Sequence, residues 1–240
     1  MIRVAVIGAA GRMGSTVCDA VEGDDELELI ARIDVDDPLD AAVEAGAEVA
    51  VDFTTPQSVK KNVLWMLERG IHCVVGTTGL ADDDLAEIRD AAAGSSANCF
   101  VAPNFAVGAV LMMRFAAAAA PYFARAEISE RHHENKLDAP SGTALRTADL
   151  MNGARGDAWQ APPGEGASRG LDAGGINIHS LRVPGSVAHQ EVILGSSGET
   201  LTIRHDSLDR SSFMPGVLLA VKRVAALPGL TVGLEHLLDL

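Results

Sequence analysis

At 240 residues the chain is long enough for one large domain or two small ones, and its net charge of −14 argues against nucleic acid and anionic membranes as partners. No apolar run reaches the roughly 18 residues that a membrane span needs. The sequence opens directly on a strand-like run rather than a signal peptide, and Cys18, Cys73 and Cys99 have neither metal-ligand spacing nor a disulfide framework, so a reduced, cytoplasmic protein is expected.

Lysine is scarce beside arginine, and the acid excess is spread along the chain. Such surfaces suit a salt-rich cytoplasm, where screening removes self-repulsion, and a halophilic source is the expectation.

Residues 1–7 are apolar and rich in β-branched types, as a buried parallel strand is. Gly8-Ala9-Ala10-Gly11-Arg12-Met13-Gly14 follows, and a helix is expected to about Glu22. Strand, glycine turn and helix form the context of a dinucleotide fingerprint. The spacing is GxxGxxG, with Ala10 where the commoner form has its second glycine. Residues 27–33 form the next strand. Asp34 ends it, where a carboxylate would accept hydrogen bonds from an adenosine ribose. That charge repels a phosphate at the 2′ position, which favours NADH over NADPH.

A short helix is expected over 39–45 and a strand over 49–53. Thr54-Thr55-Pro56 is its polar exit, with Pro56 in the first turn of a helix running to Arg69. Residues 71–75 form a fourth strand. Gly76-Thr77-Thr78-Gly79 stands at its carboxyl end, where small residues and hydroxyls could line a nicotinamide pocket. Asp82, Asp83 and Asp84 open an acid-started helix. Residues 99–102 form a fifth strand, ended by Pro103-Asn104-Phe105. The alternation implies a Rossmann-like, doubly wound α/β sheet.

The pattern then changes. A helix over 107–122 precedes a strand at 126–130. Residues 152–175 are rich in Gly, Pro and Ala and are expected to be a mobile loop. Strands over 176–183, 188–194 and 200–205 imply an open mixed sheet in a second, α+β domain. A helix over 211–226 and a short amphipathic tail, 234–240, are expected to return to the first domain. The expected domains are therefore 1–104 with 211–240 for the dinucleotide, and 105–210 for substrate and assembly. His179, His189 and His205 read as ordinary strand residues.

The densest chemistry lies in Glu130-Arg131-His132-His133-Glu134-Asn135-Lys136-Leu137-Asp138-Ala139-Pro140-Ser141-Gly142-Thr143. Histidine changes charge near neutral pH, and a lysine ammonium is a mobile cation with three donors. Ser141 reads as the cap of a helix from Thr143 to Met151, with Gly142 allowing close backbone approach. Free N–H groups and the helix dipole make such a start a carboxylate or phosphate site. Together these groups suit a small anionic substrate, and no metal is needed.

With GxxGRMG, VDFT, GTTG, PNF and the His-His…Lys-x-Asp-Ala-Pro-Ser-Gly-Thr run in order, the chain resembles the dihydrodipicolinate reductase family over its full length. The resemblance implies NAD(P)H-dependent reduction of a cyclic unsaturated imine dicarboxylate, in lysine and diaminopimelate biosynthesis. It implies His132 and Lys136 as catalytic residues, and His133, Ser141, Gly142 and Thr143 at the substrate. It implies cofactor contacts from Gly8, Ala9, Gly11, Arg12, Met13, Gly14, Asp34, Gly76, Thr77, Thr78, Ala102, Asn104 and Phe105. It also implies a homotetramer assembled through the second domain's sheet. Val35, Glu134 and Asn135 depart from residues that are often basic in relatives. The competing readings are another nicotinamide dehydrogenase of the same architecture and an NAD-binding regulator without turnover.

Overall fold

The structure is a computed structural model that describes residues 1–157, 159–160 and 166–238. The chain divides into two compact units, Met1–Ala106 with Phe213–Leu240, and Val107–Ser212.

The first unit begins with β1 (Ile2–Ile7), α1 (Arg12–Glu22), β2 (Leu27–Ile33) and α2 (Asp40–Glu44). It continues with β3 (Val49–Asp52), α3 (Val59–Glu68), β4 (His72–Val75), α4 (Asp82–Ala93) and β5 (Cys99–Val101). The second unit holds α5 (Val107–Ala119), β6 (Arg125–His132), α6 (Gly142–Ala154), β7 (Leu171–Asp172), β8 (Asn177–Arg182), β9 (Ala188–Ser196) and β10 (Glu199–Ser207). The chain then returns to the first unit with α7 (Met214–Arg223) and β11 (Leu230–Val232).

Six parallel strands form the first sheet, in the order β11-β5-β4-β3-β1-β2. Strand residues alternate between two covered faces. On one face Ala5, Ile7, Ala50, Cys73, Val75, Cys99 and Val101 pack with Val63, Met66 and Leu67 of α3 and Ile88 and Ala92 of α4. Val6, Val51, Val74 and Phe100 point the other way and are fully buried. From β1 the chain steps to β2 on one side, then from β3 onward to the other. The strand order therefore reverses beside β1, and the crevice at the carboxyl ends of β1 and β3 is where open α/β sheets take ligands.

Five strands form the second sheet, in the order β10-β9-β6-β8-β7, with β6 and β8 parallel and the other neighbours antiparallel. Ile128, Ile178, Val192 and Leu194 lie on one face and are buried, the face against which α5 and α6 pack. Glu130 and His132 follow Ile128 on that face by strand alternation. The carboxylate of Glu130 is fully buried there, held by both terminal nitrogens of Arg182 at 2.8 and 2.9 Å.

Several expectations are corrected. Pro56 stands in a turn before α3, which starts at Val59 with Ser58 before it. The hydroxyls of Thr54, Thr55 and Ser58 bond one another and hold that turn out of the helix. The stretch 152–175 is well anchored in its described part. Its first three residues finish α6, Asn152 and Arg155 donate to Ala173 and Gly174, and Gln160 donates to Ala124. Residue 158 and residues 161–165 of that stretch, and 239–240 of the expected tail, lie outside the described residues. The strand at 126–130 extends to His132, and the helix expected from Thr143 begins one residue earlier and ends at Ala154. The strands β7 and β11 were not legible in the sequence.

Glu130 makes the second unit acid-sensitive. Burial alone would push its carboxyl up, but donors from His132, Arg182 and Ser180 outweigh that and hold it down to about 2. A folded value below the unfolded one adds stability that is complete above the usual glutamate range, near 4.5, and is lost as pH falls toward 2. Urea denaturation across that window should show stability falling with pH, and Glu130→Gln should reduce the slope by up to about one proton. An unchanged slope would contradict the linkage.

Candidate active site

In the second unit, His132 ends β6 and its Nδ1 lies 2.6 Å from Glu130 Oε2. The chain then turns, with the Lys136 N–H donating to the His133 carbonyl at 3.1 Å. Lys136 Nζ donates to both carboxylate oxygens of Asp138, at 2.7 and 2.8 Å. Burial pushes the Asp138 carboxyl up, but Lys136 pulls it down further, so it ends below its usual range. Arg182 spans this turn: besides Glu130 it donates to the carbonyls of Lys136 and Asp138, at 3.3 and 2.5 Å.

The turn leads into α6. Ser141 is the cap, its hydroxyl accepting from the Ala144 N–H at 3.2 Å, while its own N–H donates to Glu130 Oε1 at 3.1 Å. Buried and committed in this way, Ser141 shapes the helix start rather than offering a hydroxyl outward. Gly142 and Thr143 form the first turn. That turn has no acidic residue, and a Cβ placed on Gly142 would meet nothing within 4 Å. The positive end of the helix dipole is therefore open to an anion's close approach. The buried Glu130–Arg182 pair thus bonds His132, the Ser141 N–H and the carbonyls of Lys136 and Asp138, and so fixes both ends of the turn that carries His133 and leads to Gly142 and Thr143.

In the first unit, the glycine turn follows β1. Gly8 has φ +81°, and a Cβ there would fall 2.5 Å from the Phe53 carbonyl oxygen after β3. A Cβ on Gly14 would fall 1.9 Å from the Gly8 carbonyl oxygen, so α1 packs directly on the turn. Gly11 caps α1 with an extended backbone and no capping side chain, leaving first-turn N–H groups for an anion. Arg12 is exposed beside them, Met13 half-buried and Ala9 buried. The Ala10 N–H donates to Asp34 Oδ2 at 2.7 Å, tying the turn to the end of β2. N–H groups of Val35 and Ala10 hold the Asp34 carboxyl below its usual range. The donor set fits a dinucleotide: open N–H groups for the pyrophosphate and an ionised carboxylate for a ribose.

The Gly76-Thr77-Thr78-Gly79 loop departs from expectation in one respect. The Thr77 hydroxyl is buried and bonds inward, donating to Asp52 Oδ1 at 2.8 Å and accepting from the Thr54 N–H at 2.7 Å. Thr78 is exposed and carries the outward hydroxyl of the pair. Gly76 has no room for a side chain, since a Cβ would fall 2.1 Å from the Phe53 ring. Ala102 and Phe105 are buried, and Phe105 packs between Phe53 and Phe100 with ring centroids 6.0 and 6.1 Å away. Asn104 Oδ1 accepts from the Ala106 N–H and shapes the turn after β5.

Sequence reasoning missed four residues: Glu130, Arg182, Asp138 and Asp52. Asp52 is nearly fully buried and accepts from Thr54, Thr77 and Asn62, coupling the loops after β3 and β4. Strand alternation could have flagged Glu130, which shares a face with Ile128 and with His132. Nothing local marks Arg182, 52 residues away. No group of His, Cys, Asp and Glu among the described residues could hold a metal ion.

Two family models match. One described as "Dihydrodipicolinate reductase, N-terminus" covers residues 2–105, and one described as "Dihydrodipicolinate reductase, C-terminus" covers 108–238. The chain is 52% identical to a 4-hydroxy-tetrahydrodipicolinate reductase of Streptomyces coelicolor and 52% identical to one of Nocardia farcinica, over all of this chain and 98% and 99% of theirs. Among solved structures, a dipicolinate-bound dihydrodipicolinate reductase from Paenisporosarcina is 39% identical, with a TM-score of 0.88 over 99% of this chain and all of that one. A probable dehydrogenase from Thermotoga maritima, at 13% identity and a TM-score of 0.65 over 98% of this chain and 92% of its own, shares the fold alone. With both family models matched end to end and half of all residues shared with curated relatives, the chain belongs to the dihydrodipicolinate reductase family, whose activity is the NAD(P)H-dependent reduction of 4-hydroxy-tetrahydrodipicolinate.

Proposed function

We propose that the second unit binds the cyclic imine dicarboxylate through His133, Gly142 and Thr143, that His132 and Lys136 serve its protonation, and that NADH is preferred to NADPH. The observation that carries this reading is the convergence of His132, the Lys136 turn and the open start of α6 on Glu130 and Arg182. The dipicolinate in the Paenisporosarcina relative, a ring dicarboxylate, supports the substrate class.

Bound nicotinamide supplies the hydride. Loss of the ring hydroxyl as water leaves a carbon–carbon double bond conjugated with the imine, and hydride addition to that conjugated carbon leaves negative charge on the ring, spread toward nitrogen. His132 or Lys136 delivers the proton that neutralises it. The N–H groups of Gly142 and Thr143 take one carboxylate at the positive helix end, and His133 takes the other. Lys136 begins in an ion pair with Asp138, so substrate must take the ammonium over from that carboxylate. Half-exposed pairs of this kind are worth only about 1 kcal/mol or less, so the exchange is cheap.

For the nucleotide, the glycine turn holds the pyrophosphate, Asp34 the ribose, and the loops 76–79 and 102–105 the nicotinamide end. Asp34 supports NADH, because its charge opposes a 2′-phosphate. The setting is a cytoplasm rich in salt, supported by the net charge of −14. The assembly is a homotetramer built on the outer face of the second sheet. Leu181 and Ile193, apolar yet exposed on that face, support it.

Three measurements test these points. With substrate generated by the preceding synthase from aspartate semialdehyde and pyruvate, in KCl raised to molar concentration, kcat/KM for NADH should exceed that for NADPH by about 10-fold, the ratio that about 1.4 kcal/mol of repulsion produces. Asp34→Ser should erase the difference, and equal values in the unaltered chain would remove Asp34 as the selector. Lys136→Ala should lower kcat by roughly 10²- to 10⁴-fold; near-unaltered turnover would take Lys136 out of the mechanism. Light scattering should give the mass of four chains, whereas a monomer at working concentration would refute the assembly.

A further inference from the structure

We propose that Glu130 is a positioning residue for the reduction: its buried carboxylate holds the His132 ring through Nδ1 and leaves Nε2 as the working nitrogen. The proposal rests on the catalytic reading of His132 and deepens it.

Three histidines of the second unit pair with carboxylates: His132 with Glu130, His179 with Glu127 and His189 with Asp206. The last two carboxylates keep 38% and 31% of their side-chain surface exposed, as ordinary surface pairs do. Glu130 keeps none. A carboxylate is not buried at a core-facing position unless its neighbours compensate the loss of water. Here the donors at hydrogen-bond distance come from the site and from Arg182, which clamps its turn. Oε2 faces His132 Nδ1 at 2.6 Å and Arg182 Nη1 at 2.8 Å. Oε1 accepts from Arg182 Nη2 at 2.9 Å and from the Ser141 N–H at 3.1 Å.

The chemistry follows from the acceptor. Donors from His132, Arg182 and Ser180 outweigh the upward push of burial, so Glu130 is ionised throughout the neutral range. An ionised carboxylate only accepts. The proton of the neutral imidazole must then sit on Nδ1, and Nε2 is the lone-pair nitrogen that gains and gives the transferable proton. Among the described residues, Nδ1 to Glu130 is the imidazole's only hydrogen bond. Arg182 completes the device. It keeps Glu130 paired and clamps the carbonyls of Lys136 and Asp138, so one ion pair sets both the ring of His132 and the turn of Lys136.

The test uses the full chain with ¹⁵N-labelled histidine. His132 is identified among the seven histidines by its absence in His132→Asn. Long-range ¹H–¹⁵N correlation, followed across pH, should show the neutral form of His132 with its proton on Nδ1. Glu130→Gln should move that proton toward Nε2 and lower kcat by about 10²-fold with little change in KM for substrate. Glu130→Asp should recover part of the loss. The double variant Glu130→Gln/His132→Asn should be no slower than His132→Asn alone. A proton on Nε2 in the unaltered protein overturns the proposal even if Glu130→Gln fails to fold. Unaltered kcat in Glu130→Gln, with His132→Asn slow, overturns it while leaving the catalytic reading intact. Unaltered kcat in His132→Asn would overturn that reading itself.

Discussion

The pairing of Glu130 with Arg182 is the constraint on which the candidate site depends. A carboxylate with no exposure, on the covered face of a sheet, is tolerable only with its charge matched and both oxygens satisfied. The partners that satisfy it come from β6, β8 and the N-terminus of α6. Two consecutive elements, β6 and α6, and the more distant β8 are thereby held to one point. Loss of one partner of a buried pair costs about 3–5 kcal/mol, a large fraction of a domain's stability. The turn between β6 and α6 is short of apolar anchors of its own, with Leu137 98% exposed. Its geometry comes from the guanidinium beneath it.

The first unit solves a similar problem without an ion pair. Asp52 is buried at the end of β3, and its oxygens accept from two hydroxyls, an amide and a main-chain N–H. Those donors come from α3 and from the loops after β3 and β4. Steric exclusion does the rest: the glycine turn, the Phe53 main chain and the Phe53 ring approach so closely that Gly8 and Gly76 have no space for a side chain. Polar satisfaction and close packing, rather than bulk, shape the ends of these strands.

Much of this was legible where the signal is local. The alternation of strands and helices from Ile2 to Val101, the cap at Ser141 and the acidic first turn at Asp82 each follow from a few neighbouring residues. The candidate site residues between β6 and α6 stand out in the sequence because they are crowded into fourteen positions. The rest depends on partners far away in sequence. Neither β7, two residues long, nor β11, three residues long, has room for a period, and each exists because a neighbouring strand offers its edge. Thr77 could not be read as inward-facing without Asp52, nor Glu130 as an anchor without Arg182. Pro56 misled because its fit to a first helical turn is a local preference, and a network of three hydroxyls overrides it.

The order of elements along the chain bears on how the protein emerges from the ribosome. The first unit is interrupted at Ala106 and resumes at Phe213, and β11 closes its sheet by pairing with β5. Everything that the second unit needs is translated before that strand. The second unit can therefore condense while the first still presents the unpaired main-chain edge of β5. An open apolar strand edge is a template for pairing with other chains. Pairing of β11 with β5 ends that exposure, so the last strand of the chain is also the one that closes the first sheet.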